Sequence, residues 1–314
     1  MAEALVRMKH RSRAMPSLLV PASQERGSIR FGSSLLDKYC THERPCQMIK
    51  RILGNVLLPL SISIAALSTA WAQSTGELRF GVEPGWKPFE YKLPGGALAG
   101  VDIDLGEAIC RDLKQNCVWV ENNFDSMLFA LKEKKFDAIL SGMSVTEKRL
   151  QEIDFSQVLY KPPVRLVGRA KSNLLPSPRR LRGKRVGVQQ GSTEEMYANK
   201  YWRPKGVHIV SYRSQSEVYS DLASGRLDAA LNAEREINES FLSTPQGVGF
   251  SLLGANVTDD VIYGSGVAIG VRKGDKALKD AIDRAITNIK KSGEYQKIMS
   301  KYFKSLAQDP QGNL

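Results

Sequence analysis

The feature that most constrains this chain is an internal echo. Phe136-Asp-Ala-Ile-Leu140 returns as Leu227-Asp-Ala-Ala-Leu231, and each closes a series in which short β-rich runs alternate with helical stretches. Such alternation argues for largely parallel sheets flanked by helices, because two parallel strands need a crossover long enough to hold a helix. The first series predicts a strand over 77–82, a helix over 101–113, a strand over 118–121, a helix over 126–134 and a strand over 136–140. The second predicts strands over 184–188, 207–212 and 227–231, with helices over 193–202 and 216–223 between them. Lys161-Pro-Pro163 and a polar link over 171–178 separate the two. Two similar α/β lobes are expected. A further strand over 267–271 then precedes helices over 275–291 and 294–303. If that strand returns to the first lobe, the chain crosses twice between lobes and forms a hinge over a cleft. Ligands of open α/β sheets bind outside the carboxyl ends of strands.

Ahead of the series, residues 52–76 carry no charge and follow Lys50-Arg51, and their apolar stretch ends in Ser68-Thr-Ala-Trp-Ala72. A basic start, an apolar middle and an Ala-x-Ala site make the pattern of an export signal cleaved after Ala72. Asn55, Pro59, Ser61 and Ser63 interrupt the run, and its apolar part is shorter than the roughly 20 residues a membrane span needs. A signal begins near the initiating methionine, so Met48 is the expected start. Residues 48–72 are then the signal peptide and residues 1–47 a disordered or untranslated extension. The net charge of +12 over 314 residues divides evenly at this cleavage site. Beyond it, basic residues are scattered among acids without the clustered patch that nucleic-acid binding needs. Nucleic acid is not an expected partner.

Three strand ends carry chemistry. Ser192-Thr193 follow strand 184–188 through Gln189-Gln-Gly191 and open a helix with Glu194 and Glu195 in its first turn. Hydroxyls there cap free amides, and the same amides can hold a carboxylate. A plain helix cap is the competing reading, since the glutamates satisfy part of the dipole themselves. After strand 136–140 come Ser141-Gly142-Met143-Ser144 and then Arg149. Small residues with free amides and an arginine suit bidentate capture of a carboxylate, against the reading of a surface arginine. Glu83 ends the first strand, with Trp86 and Phe124 at equivalent positions. A carboxylate between two aromatic faces suits a cation, against the reading of both rings as core.

Catalytic patterns are poor. His208 is the one histidine after Ala72, and no Walker A loop, Gly-x-Ser-x-Gly elbow or His-Glu-x-x-His motif occurs. No catalytic residue, metal site or cofactor is expected. Cys110 and Cys117 are the two cysteines of the exported part. They either close a short loop in an oxidising compartment or remain two thiols.

Together, Gly100-Val-Asp-Ile-Asp-Leu105, Lys135-Phe-Asp-Ala-Ile139, Ser144-Val-Thr-Glu-Lys-Arg149, Gly183-Lys-Arg-Val-Gly-Val188, Ser224-Gly-Arg-Leu-Asp-Ala229 and Gly293-Glu-Tyr295 with Lys301-Tyr-Phe303 carry a resemblance. Over about residues 77–305 the chain resembles the periplasmic solute-binding proteins of polar amino-acid ABC transporters, the lysine/arginine/ornithine-, histidine- and opine-binding family. The resemblance implies the type II two-lobed fold with a two-crossing hinge, lobe I over 73–162 and 265–314 and lobe II over 163–264. It implies a monomer exported to the periplasm of a Gram-negative cell, which closes on a small amino-acid-like ligand and hands it to a membrane-embedded ABC permease without enzymatic activity or cofactor. Arg149 is implied to bind the ligand's α-carboxylate, helped by Ser144, the Gly142 amide and Thr193, with Ser192 beside it. Glu83, Trp86, Phe124, Ser141 and Gln189 are implied to shape the side-chain pocket, the two rings sandwiching the ligand. Cys110 and Cys117 are implied to form a disulfide.

One position departs from the family's pattern. Amino-acid binders of this kind place an aspartate near the end of the second lobe's third strand, opposite the ligand's α-ammonium. In Asp228-Ala-Ala-Leu-Asn232-Ala233-Glu234 that position is Ala233. Losing a buried counter-charge costs a free ammonium several kcal/mol unless Asn232 or Glu234 replaces it. Glu83 and Met143 also sit closer to the opine binders. The expected ligand is therefore a polar or basic amino acid derivative, opine-like, rather than an ordinary free amino acid. The same fold hosts a cyclohexadienyl dehydratase, an alternative that needs a poised carboxylic acid, for which Glu83 and Glu234 are the nominees.

Overall fold

The computed structural model describes residues 76–303; the signal peptide and the extension over 1–47 lie outside the described residues. Two five-stranded sheets organise the chain. In the first, the spatial order is Asn116–Glu121, Glu77–Val82, Ala138–Ile139, Gly270–Arg272 and Ile153–Phe155. The first three of these run parallel, and Gly270–Arg272 is antiparallel to both its neighbours. In the second sheet the order is Phe250–Val257, Val164–Arg169, Ala229–Ala233, Arg185–Gln189 and His208–Tyr212. Its last three strands are parallel, and Val164–Arg169 runs antiparallel between the other two.

The echo in the sequence falls on the middle strand of each sheet, and it repeats a contact as well as a pattern. Asp137 accepts from the backbone N–H of Arg79 and pairs with its guanidinium at 2.9 Å. Asp228 does the same for Arg185, at 2.8 Å from its N–H and 3.3 Å from Nε. Each aspartate thus ties the start of a middle strand to the start of its parallel neighbour.

Helices Val101–Leu113 and Lys276–Lys291 pack together over the first sheet. Ile282, Ala285, Ile286 and Ile289 are the buried residues of the latter helix, the spacing of a single apolar stripe. Cys110, near the end of helix Val101–Leu113, is joined by a disulfide to Cys117 in the adjacent strand. Among the described residues, no helix is long and apolar enough to cross a membrane.

The chain leaves the first sheet after Phe155, joins the second at Val164, and returns between Val257 and Gly270. The two crossings touch: Leu159 N–H donates to Val267 O at 2.8 Å, and Val267 N–H donates to Tyr160 O at 2.7 Å. The expected strand over 267–271 is shorter for this reason. Val267 bridges singly to Ser144 and Tyr160, and regular pairing begins only at Gly270.

Candidate functional site

The strand ends of the two sheets face each other across a small cavity of about 40 Å³, room for a few water molecules rather than an amino acid. Trp86, Phe124, Gly142, Ser144 and Arg149 contribute its wall from the first lobe, and Ser192, Thr193, Glu194 and Ala233 from the second. Glu83, Ser141 and Gln189 stand immediately behind this wall as one buried chain of hydrogen bonds. Ser141 Oγ accepts from the Glu83 N–H at 3.0 Å and donates to Glu90 Oε1 at 2.9 Å. The Glu83 carboxylate accepts from Gln189 Nε2 at 2.5 Å and Trp86 Nε1 at 3.3 Å. Burial pushes the Glu83 carboxyl up, against these bonds and one from the Phe124 backbone.

The Trp86 and Phe124 ring centroids lie 6.1 Å apart with planes tilted by 32°. A planar cation between two rings needs roughly 7 Å, two carbon contacts of about 3.5 Å each. The rings are therefore nearly in place for a sandwich and must part by about an ångström to form one.

Arg149 is 6% exposed and lies on the short helix Glu147–Leu150, whose start is capped by Thr146 Oγ1 accepting from the Arg149 N–H. Its guanidinium donates to two backbone carbonyls, Ser144 O at 2.9 Å and Gly191 O at 3.0 Å, and rests 5.5 Å from the Phe124 ring centroid. No carboxylate among the described residues forms an ion pair with it. Burial brings its pKa down to about 10, partly offset by the field of Glu194, so it stays cationic at neutral pH. A buried cation whose hydrogen bonds go to backbone carbonyls, with no carboxylate in an ion pair, is a receptor for an anion.

On the opposing lobe, Ser192 is occupied as a helix cap, its Oγ accepting from Glu195 N–H at 3.0 Å and donating to Gln189 O at 2.7 Å. Glu195 takes the Gly191 N–H at 2.7 Å. Thr193 Oγ1 donates to Glu194 at 3.1 Å. The amides of this turn are thus partly filled by its own glutamates. The Gly142 amide is likewise engaged, donating to Asp102 Oδ2 at 3.0 Å.

The structure does not bring Asn232 to the cavity wall. Its Nδ2 donates to Glu236 at 2.6 Å and its Oδ1 accepts from Ala233 N–H at 2.8 Å, inside a buried polar cluster that includes Tyr219. Glu234 is paired with Arg165 at 2.9 Å and is not on the cavity wall. Sequence reasoning missed the layer beneath Ser141 and Gly142, where Asp102 accepts from the Tyr160 hydroxyl at 2.7 Å and Glu90 is wholly buried. The signal available was an acid inside an otherwise apolar helix start, Val101-Asp-Ile. Among the described residues, no group of His, Cys, Asp or Glu side chains is arranged to hold a metal ion.

Two α/β lobes joined by two crossings around a cavity, with the buried cation Arg149, the acid Glu194 and the rings of Trp86 and Phe124 on its wall, have the make-up of a solute-binding protein. The comparisons agree: the chain belongs to the bacterial extracellular solute-binding proteins, family 3, whose model matches residues 78–305. It is 42% identical over 246 residues to the histidine-binding periplasmic protein of Escherichia coli strain K12, covering 78% of this chain and 95% of that protein. It is 42% identical over 256 residues to the lysine/arginine/ornithine-binding periplasmic protein of the same strain, covering 82% and 97%. Among solved structures, an ancestral arginine-binding protein bound to arginine matches with a TM-score of 0.68 and 33% identity, over 73% of this chain and 98% of that one.

Proposed function

We propose that the protein is the periplasmic substrate-binding component of an ABC transporter for a basic amino acid or an opine-like derivative of one. It closes lobe I, over 73–162 and 265–314, on lobe II, over 163–264. The observation that carries this reading is Arg149, a buried cation whose hydrogen bonds go to backbone carbonyls, facing the cavity that Trp86 and Phe124 also line. Arg149, Ser144 and Thr193 grip the ligand carboxylate; Glu83, Trp86 and Phe124 receive a cationic group such as a guanidinium, with Gln189 sharing Glu83. Relatives named for histidine, for lysine, arginine and ornithine, and for arginine support a basic ligand. The protein acts as an exported monomer, cleaved after Ala72, that delivers its ligand to a membrane-embedded permease.

The test is a thermal-shift screen of the purified protein against basic amino acids, opines and polyamines, since a ligand that binds only the folded form raises the melting temperature. The largest shift is expected from a compound with both a carboxylate and a cationic side chain. An equal response to polyamines, which lack a carboxylate, overturns the role of Arg149. A stronger response to free lysine or histidine than to any derivative overturns the opine preference.

A further inference from the structure

We infer that Glu194 is the specificity-determining acid of this cavity, the counter-charge for an ammonium group that lies next to the carboxylate gripped by Arg149. The inference rests on the binding reading above and deepens it by naming the chemistry that the second lobe reads.

Four observations carry it. Glu194 is the acidic side chain on the cavity wall, beside Thr193 and together with Ala233 and Arg149. It is 7% exposed, and its carboxylate is held by its own turn, with Thr193 Oγ1 at 3.1 Å and a bond from its own backbone N–H. It forms no ion pair with a lysine or arginine among the described residues, although Arg149 is close enough to act on it electrostatically. The other candidates for the role are spent: Asn232 on Glu236 and Glu234 on Arg165. A buried carboxylate without a cation is costly, and an ammonium brought beside it offsets that cost. The same carboxylate beside Arg149 opposes a ligand that brings only a second negative charge. The cavity therefore favours a zwitterion, with a primary or secondary amine on the carbon next to its carboxylate, over a guanidino acid without that amine.

Calorimetric titration of the wild type and Glu194→Gln with L-arginine and with 5-guanidinopentanoate, which is arginine without its α-amino group, tests this. The wild type is expected to bind arginine at least tenfold more tightly than the desamino compound. Glu194→Gln is expected to lose tenfold or more on arginine while holding or gaining affinity for 5-guanidinopentanoate. Adding Ala233→Asp to Glu194→Gln, which returns a carboxylate to another part of the same wall, is expected to restore arginine binding. Equal losses on both compounds, or no loss on either, overturn the assignment, as does a double variant no better than the single one. A wild type that binds 5-guanidinopentanoate as tightly as arginine overturns the role of Glu194 but leaves the guanidinium reading standing. A wild type that binds neither overturns both.

Discussion

Arg149 of the first lobe donates through Nη2 to the carbonyl oxygen of Gly191 of the second, at 3.0 Å. That one bond ties the anion receptor to lobe closure, because the guanidinium reaches across the cleft only when the strand end after Gln189 is brought against it. Gln189 makes the reverse reach, to Glu83 at 2.5 Å. Each lobe lends a polar group to the other's binding element.

Burying Arg149 without an ion pair has a stability cost. Its pKa falls to about 10 through burial, and at 1.4 kcal/mol per pKa unit this corresponds to a cost on the order of 3 kcal/mol in the folded protein. Arg149→Met, of similar length and without charge, is therefore expected to melt at the same temperature as the wild type or a few degrees higher. It is also expected to lose the ligand-induced shift entirely. Melting curves with and without ligand check both halves, and a variant that keeps the ligand shift contradicts the carboxylate role.

Gly191 is constrained twice. Its φ is +77°, a region costly for residues with a side chain, and a Cβ there would lie 3.1 Å from the Asp125 Cα of the opposite lobe. The first constraint acts whether the lobes are open or closed; the second acts only when they close. Gly191→Ala is expected to cost about 1 kcal/mol of ligand-free stability and to weaken ligand binding tenfold or more by penalising the closed state. Small-angle scattering with saturating ligand should show less compaction than in the wild type. Undiminished affinity would mean that the close approach at Asp125 is not part of the liganded state.

The echo of Phe136-Asp-Ala-Ile-Leu140 and Leu227-Asp-Ala-Ala-Leu231 placed both middle strands, because a buried strand flanked by helices needs a short apolar run after a turn. The strands Val164–Arg169 and Phe250–Val257 were not legible. The first follows Pro162-Pro163, and the second holds Gly254 at φ +68° beside a register shift, so neither shows a clean strand pattern. On the cavity wall, Arg149 and Ser144 stood out because small residues and an arginine follow a strand. Glu194 did not, because a glutamate in a first helical turn has the same sequence signature whether it faces solvent or a ligand. The buried acids Glu90 and Asp102 were hidden for a related reason: their hydrogen-bond partners Ser141 and Tyr160 lie 51 and 58 residues away along the chain.

Those buried acids set the pH dependence of stability. Burial pushes Glu236 up to about 8 and Asp102 up to about 6, against the hydrogen bonds they accept, and raises Glu90 well above the carboxylate range. A carboxyl with a raised pKa holds its proton more tightly in the folded chain than in the unfolded one. Its contribution is complete below pH 4 to 4.5 and is lost as pH rises through the folded value. The melting temperature is therefore expected to fall between pH 5 and pH 8. Glu236→Gln keeps an acceptor for Tyr219 and Asn232 and removes the ionisation. It should melt on the order of 10 °C above the wild type at pH 8, since a rise from 4.5 to about 8 corresponds to about 4 kcal/mol at roughly 2–4 °C per kcal/mol for a chain of this size, and much closer to it at pH 5. A parallel pair of pH profiles would show that Glu236 does not titrate in this range.

The disulfide offers a change remote from the cavity. Cys110 and Cys117 join the end of helix Val101–Leu113 to strand Asn116–Glu121 across a turn in which Lys114 takes a left-handed conformation. Closing so short a loop removes unfolded-state entropy worth about 2 kcal/mol. The joined segments support the outer strand of the first sheet, whose far end leads to Phe124. If the link acts only on the unfolded chain, replacing both cysteines by serine lowers the melting temperature by about 4–8 °C and leaves ligand affinity within twofold. A larger loss of affinity than of stability, measured by calorimetry on the same preparation, would instead show that the link holds Phe124 in place for its partner Trp86.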